Sequence, residues 1–268
     1  MLYLQRDGGF STRKIGDLSA RTVLSVLLAV ALTVLSGGRV GAEEIRVAVA
    51  SNFAHAIKTL ALRFEASTGH EITLIPGSTG KHYAQIRNGA PFDAFFAADA
   101  RRPELLEKAG FALPGSRFTY ARGKLVLWSA RAGYVDAGGD VLATGAFNHL
   151  AIANPGLAPY GKAAEEILRA RGLWDKLKSK VVRGENIGQT FQFVRSGNAE
   201  LGFVAASQVR RPGHPVGGSW WEVPQTLYTP VDQQAVSLKQ NEVARAFLSF
   251  VKSDESRALI RKFGYATP

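Results

Sequence analysis

From Pro76 to Tyr83 the chain reads Pro-Gly-Ser-Thr-Gly-Lys-His-Tyr, which places two hydroxyls, two glycines and a lysine within reach of one anion. A nucleotide-binding phosphate loop would need the pattern G-x-x-x-x-G-K-[ST], whose amides wrap the phosphates and whose hydroxyl reaches magnesium. Counting from Gly80-Lys81, the required glycine falls on Ile75 and the required hydroxyl on His82, so the nucleotide reading fails twice. What remains is a Gly-Ser-Thr-Gly turn between an apolar run and a helical pattern. A helix start offers unpaired N–H groups and about half a positive charge, and so attracts an anion without any basic side chain. A single Ser or Thr at such a place is usually only an N-cap.

The same arrangement occurs four times. Ser51 and Asn52 stand at the start of one helical pattern, Ser78 and Thr79 at a second, Tyr160 and Gly161 after Pro159 at a third, and Asn186 and Ile187 at a fourth. In open α/β sheets, ligands bind outside the carboxyl ends of the strands. Two lobes facing each other across a cleft could therefore aim all four turns at one small oxyanion.

The elements that must position these turns are legible in the periodicity. Glu44 to Ala50 is a short apolar, β-branched run, and Ile57, Leu60, Ala61 and Phe64 follow at helical spacing until Gly69. His70 to Pro76 reads as a strand, Gly80 to Gly89 as a short helix, and Phe92 to Asp99 as a third strand. The alternation continues through Lys124–Ser129, Leu150–Pro155, the helical stretch from Gly161, Lys180–Asn198 and Ala199–Val209, and a late helix carries Ala244, Phe247, Leu248 and Val251 on one face. Strands alternating with helices over short connections predict an α/β fold with mostly parallel sheets, and the material suffices for two of them.

The first 42 residues belong to a different class. Arg13, Lys14 and Arg21 precede the apolar run Val23–Leu35, and Val40-Gly41-Ala42 supplies small residues before Glu43. This is the pattern of a secretory signal, with an apolar run too short to span a bilayer. Removing the five basic and two acidic residues of 1–42 leaves a mature chain of about +8. Such a field concentrates anions without identifying one. The chain has no cysteine, so disulfide and thiol chemistry are excluded. Basic residues are scattered, with no interleaved aromatic stripe to suggest nucleic acid.

An enzyme would have to use Ser78 with His55 or His82, or the carboxylates Asp93 and Asp99, and no paired-histidine metal motif is present. His55 reads as a solvated or packing residue and Asp99 as a strand end or helix cap. Trp220-Trp221 reads as packing at the edge of the second lobe, the alternative being a partner contact. Lys81 and Lys162 are expected to point to solvent.

Three long stretches, Ala50–Gly110, Ile152–Leu168 and Glu185–Val209, resemble the periplasmic molybdate-binding proteins of ABC transporters, in the same order and across nearly the whole exported region. The resemblance implies a two-lobe periplasmic-binding-protein-like fold: lobe I over 43–122 with a C-terminal return over 229–268, and lobe II over 123–228. It implies a monomeric extracytoplasmic receptor for molybdate or tungstate that docks on a membrane permease, with no cofactor, no nucleic-acid partner and no catalysis. Molybdenum or tungsten would be held only as the oxyanion, by Ser51, Asn52, Ser78, Thr79, Tyr160 and Ile187. Some relatives use a further tyrosine where this chain has Val204-Ala205-Ala206, which leaves Tyr160 as the expected phenol donor. A same-fold receptor for sulfate, phosphate or an organic acid is the alternative. No arginine stands in the four turns to clamp a carboxylate.

Overall fold

The computed structural model describes residues 42–268, so the signal expected over 1–42 lies outside the described residues except for Ala42. The first sheet carries β1 (Glu44–Ala50), β2 (Glu71–Gly77), β3 (Ala94–Phe96), β4 (Phe118–Gly123) and a strand from the far end of the chain, β12 (Val231–Ser237), in the order β2-β1-β3-β12-β4. The second carries β5 (Leu125–Ser129), β6 (Leu150–Ala153), β7 (Val181–Gly184), β8 (Leu201–Ala205) and β11 (Ser219–Glu222), in the order β11-β5-β8-β6-β7. A two-stranded hairpin, β9 (Arg210–Arg211) and β10 (His214–Pro215), hangs beside it.

Burial explains why these runs are strands. Ile45, Val47 and Val49 of β1 alternate with Ala48, and all four are fully buried, because successive side chains of a strand point to opposite faces and both faces are covered. The odd-numbered set packs on α1 (Ala54–Thr68) through Ile57, Leu60 and Phe64, and on α9 (Glu242–Lys252) through Phe247. Ala48 faces Ile86 of α2 (Thr79–Arg87) and Leu106 of α3 (Arg101–Lys108). The helix α1 stops at Gly69, whose left-handed φ of 76° lets its amide close on Glu65 O. The last helix, α10 (Asp254–Lys262), covers the same face as α9.

The second sheet repeats the plan. Leu125, Leu127, Ile152 and Phe203 pack on Ala164, Ile167 and Leu168 of α5 (Pro159–Ala170), after the short α4 (Val141–Thr144). Beyond another short helix, α6 (Trp174–Leu177), the opposite face is covered by α7 (Ile187–Arg195), where Phe191 stacks on Trp128 with ring centres 4.9 Å apart. A final one-turn helix, α8 (Ala206–Val209), follows β8 directly.

Each sheet has a parallel half, β2-β1-β3 or β8-β6-β7, and an antiparallel half that the strand–helix alternation did not disclose. The antiparallel strands β4, β12, β5 and β11 are those next to the two crossings. The chain passes from β4 to β5 through Lys124 alone and returns between β11 and β12 through residues 223–230. Consequently the carboxyl ends of both parallel halves face the gap between the lobes.

Candidate functional site

At that gap, Ser51 to Phe53 form a single 3-10 turn leading into α1, and α2, α5 and α7 begin at Thr79, Pro159 and Ile187. The structure brings Ser51, Asn52, Ser78, Thr79, Tyr160 and Ile187 to one small cavity, whose wall also includes Ala98, Pro159 and Asn186. Its volume is about 10 Å³. That is room for about one water, less than a tetrahedral anion needs.

The local hydrogen bonding decides what this wall can do. In α2 the Lys81 amide is taken by the Ser78 hydroxyl at 3.3 Å and the Gly80 amide by Leu157 O at 2.8 Å. In α7 the Gln189 amide is capped by Asn186 Oδ1 at 3.0 Å and the Gly188 amide by Ser51 Oγ at 3.1 Å. The first amides of these helices, on Thr79 and Ile187, are left without an intrahelical acceptor, as are those of Tyr160 behind Pro159 and of Asn52. Each helix points its positive dipole end at the cavity.

Four hydroxyls share one habit. Ser51 Oγ accepts from Gly188 N, Ser78 Oγ from Lys81 N, and Thr79 Oγ1 from Ala98 N at 3.0 Å. Tyr160 Oη accepts from Gln233 Nε2 at 3.1 Å. A hydroxyl that already accepts from behind has its own proton to give forward. The cavity wall therefore presents donors, and none of its residues carries a side-chain charge. Burial, and then the neighbouring Tyr265 and Tyr120, push the Tyr160 phenol well above its usual pKa, so it stays protonated and remains a donor.

Behind this wall lies a buried polar network that the sequence did not disclose. Asn52 Nδ2 donates to Gln233 Oε1 at 2.8 Å and to Tyr265 Oη at 3.0 Å, while Tyr265 Oη donates to Asn52 O at 2.7 Å. Ser207 Oγ donates to the same carbonyl at 3.1 Å, and Tyr120 Oη stands 3.0 Å from Gln233 Oε1. The Asn52 side-chain amide is thus committed to Gln233 and Tyr265, which leaves its backbone amide as the donor available to a ligand. The signal for Gln233 and Tyr265 was weak because they arrive from the C-terminal return, 181 and 213 residues from Asn52. Gly123 is required beside them: a Cβ there would stand 2.0 Å from Tyr160 Oη and 2.6 Å from Gln233 Nε2.

Lys81 is exposed, as expected, and its ammonium also pairs across the gap with Glu185 at 3.2 Å. Lys162 lies on the exposed face of α5, 3.8 Å from Glu166. Arg102 crosses the gap to Gly156 O at 3.1 Å while pairing with Asp99, whose Oδ1 also accepts the Arg102 amide. Asp99 is therefore a cap for α3. His82 is turned away from Ser78, buried against Phe92 and Phe95 with Nδ1 3.1 Å from Gln85 Oε1, so no Ser–His pair forms. Asp93 accepts the Arg46 amide at 2.8 Å and pairs with Lys239. Trp221 is buried and Trp220 half-exposed on the edge strand β11.

Two lobes flanking an uncharged, donor-lined cavity at the carboxyl ends of their strands define a ligand-binding protein, and residues 45–266 match the family described as bacterial extracellular solute-binding protein. The chain belongs to that family. It is 52% identical over 227 residues to the molybdate-binding protein ModA of Azotobacter vinelandii, covering 84% of this chain and 90% of the relative. To the molybdate-binding protein ModA of Rhodobacter capsulatus it is 45% identical over 249 residues, covering 92% and 95%. The solved periplasmic molybdate-binding protein of Azotobacter vinelandii superposes with a TM-score of 0.81 at 45% identity, over 84% of this chain and 99% of that one.

Proposed function

We propose that this protein is an extracytoplasmic receptor that captures molybdate or tungstate between its lobes and delivers it to an ABC permease. The observation that carries the reading is the set of four hydroxyls, on Ser51, Ser78, Thr79 and Tyr160, each accepting from behind and able to donate into one cavity. A tetrahedral dianion has four oxygens and accepts only, which matches a wall of neutral donors and helix starts. A protonated oxyanion must also donate, and here it would face donors alone. The names of the relatives at 52% and 45% identity favour molybdate over sulfate or phosphate.

Capture needs no chemical step and no cofactor. Ser51, Asn52, Ser78 and Thr79 belong to lobe I, and Tyr160 and Ile187 to lobe II, so the ligand completes its shell only when the lobes meet. Its differential affinity for the closed form drives closure. Calorimetric titration with molybdate, tungstate, sulfate and phosphate in one neutral buffer tests the reading. Tight binding of the first two and silence from the others is expected, and a preference for sulfate or phosphate overturns it.

A further inference from the structure

Outside the Ser51–Gly188 contact lies a second cavity of about 330 Å³, whose polar wall includes Ser51, His55, Asn186, Arg195 and Arg211. Among the described residues it holds two guanidiniums and no carboxylate. Neither arginine joins an ion pair among the described residues. Arg211 Nη1 lies 2.9 Å from His55 Nε2, and because a guanidinium only donates, the imidazole nitrogen accepts and brings no counter-charge. The Arg211 Nε is buried with no hydrogen-bond partner. Burial and the like charge of Arg195 both press on the Arg211 cation.

The other mouth of the gap is built differently. Its cavity, about 470 Å³, sets Arg101, Arg102 and Lys162 against Asp99, Glu166 and Asp232, and Arg102 is paired with Asp99. Charge is balanced there and unbalanced beside Ser51. The inner cavity itself has no side-chain charge, and the pull of a helix start fades within a turn. Long-range attraction of a dianion must come from outside it.

We propose that Arg195 and Arg211 form an outer anion subsite, where an incoming oxyanion dianion is held against the Ser51–Gly188 seam before the lobes part to admit it. The subsite rests on the reading of the inner cavity as an oxyanion site. Its position suits that role, since Ser51 and Asn186 line both cavities and an anion leaving the outer one enters the inner one past residues that it already touches.

The proposal is tested by stopped-flow association of molybdate with the protein at low and high ionic strength, followed by intrinsic fluorescence. Steering by fixed charges weakens as salt screens them. The Arg195→Gln/Arg211→Gln variant is expected to slow low-salt association by about fivefold or more, with high-salt association and the dissociation rate within about twofold of wild type. A Lys58→Gln/Lys262→Gln variant removes the same charge from exposed positions outside both cavities and is expected to lose less than about twofold. Equal slowing in both variants, or no slowing in the first, overturns the subsite. Should Arg211→Gln fail to fold, Arg195→Gln alone, on the exposed last turn of α7, is expected to slow low-salt association by about twofold, and an unchanged rate overturns the subsite. Wild-type protein that binds no molybdate overturns the oxyanion reading itself, and is told apart by the calorimetry above.

Discussion

The Tyr160 phenol, from lobe II, accepts a hydrogen bond from Gln233 Nε2 of lobe I at 3.1 Å, so that the C-terminal return sets which way the phenol donates. Removing the hydroxyl takes away one hydrogen bond to a charged ligand, about 1.5–3 kcal/mol. Tyr160→Phe is therefore expected to weaken molybdate binding by about 10- to 100-fold by calorimetry. It also leaves the buried Gln233 amide short of an acceptor, which predicts a modest fall in melting temperature. Unchanged affinity would make the phenol structural only.

Ser78→Ala is expected to weaken binding to the same degree, about 1.5–3 kcal/mol, because its hydroxyl caps α2 and has its own proton to donate. Loss of the cap adds about 1 kcal/mol of destabilisation, measurable by denaturant titration. Affinity equal to wild type would remove Ser78 from the site.

Gly123 ends β4 at the first crossing, and a methyl group there would collide with Tyr160 Oη and Gln233 Nε2. Gly123→Ala is expected to lower affinity at least as far as Tyr160→Phe and to cost about 1–3 kcal/mol of stability by overpacking. Because both changes act on the same hydroxyl, the double variant should lose less affinity than the two singles together. Simple additivity would mean that Gly123 acts elsewhere.

The Lys81–Glu185 pair bridges the lobes, but its side chains are 53% and 40% exposed. Such pairs contribute about 0.2–1 kcal/mol and weaken with salt. Glu185→Gln should raise the dissociation rate of the ligand less than about fivefold, and the effect should vanish at high salt. A larger, salt-independent change would show that the pair does more than latch a closed form.

His82 is buried, and desolvation lowers its pKa below 6.5 against the opposing hydrogen bond from Gln85. The unfolded chain then takes up a proton that the folded chain refuses. The contribution of His82 is whole above pH 6.5 and is lost as pH falls from there toward the depressed folded value. Thermal melts of wild type and His82→Gln across this window should diverge, with the variant's curve the flatter. Parallel curves would mean that His82 titrates alike in both states.

The residues that touch the cavity were legible in the sequence because each sits at a local event: a hydroxyl or amide at a strand end, followed by a helix. The pairs Ser51-Asn52, Ser78-Thr79, Tyr160-Gly161 and Asn186-Ile187 needed only their neighbours to be found. The parallel halves of the sheets were legible for the same reason, since an apolar run and the helix after it are contiguous. The antiparallel halves were not, because β12 pairs with β3 and β4 across more than a hundred residues and its alternating pattern names no partner.

What the sequence determined by itself was four polar turns at helix starts, the absence of a cysteine and of a phosphate loop, and a strand–helix order that permits two lobes. Only the tertiary structure decided which donors are spent and which are available. The sequence shows no partner for Lys81 or for the Asn52 side chain; folding brings Glu185 opposite the first and Gln233 and Tyr265 onto the second. The physical reason is that a hydrogen-bonding group acts through what is left after its partners are satisfied, and those partners are chosen by the folding of distant segments onto one another.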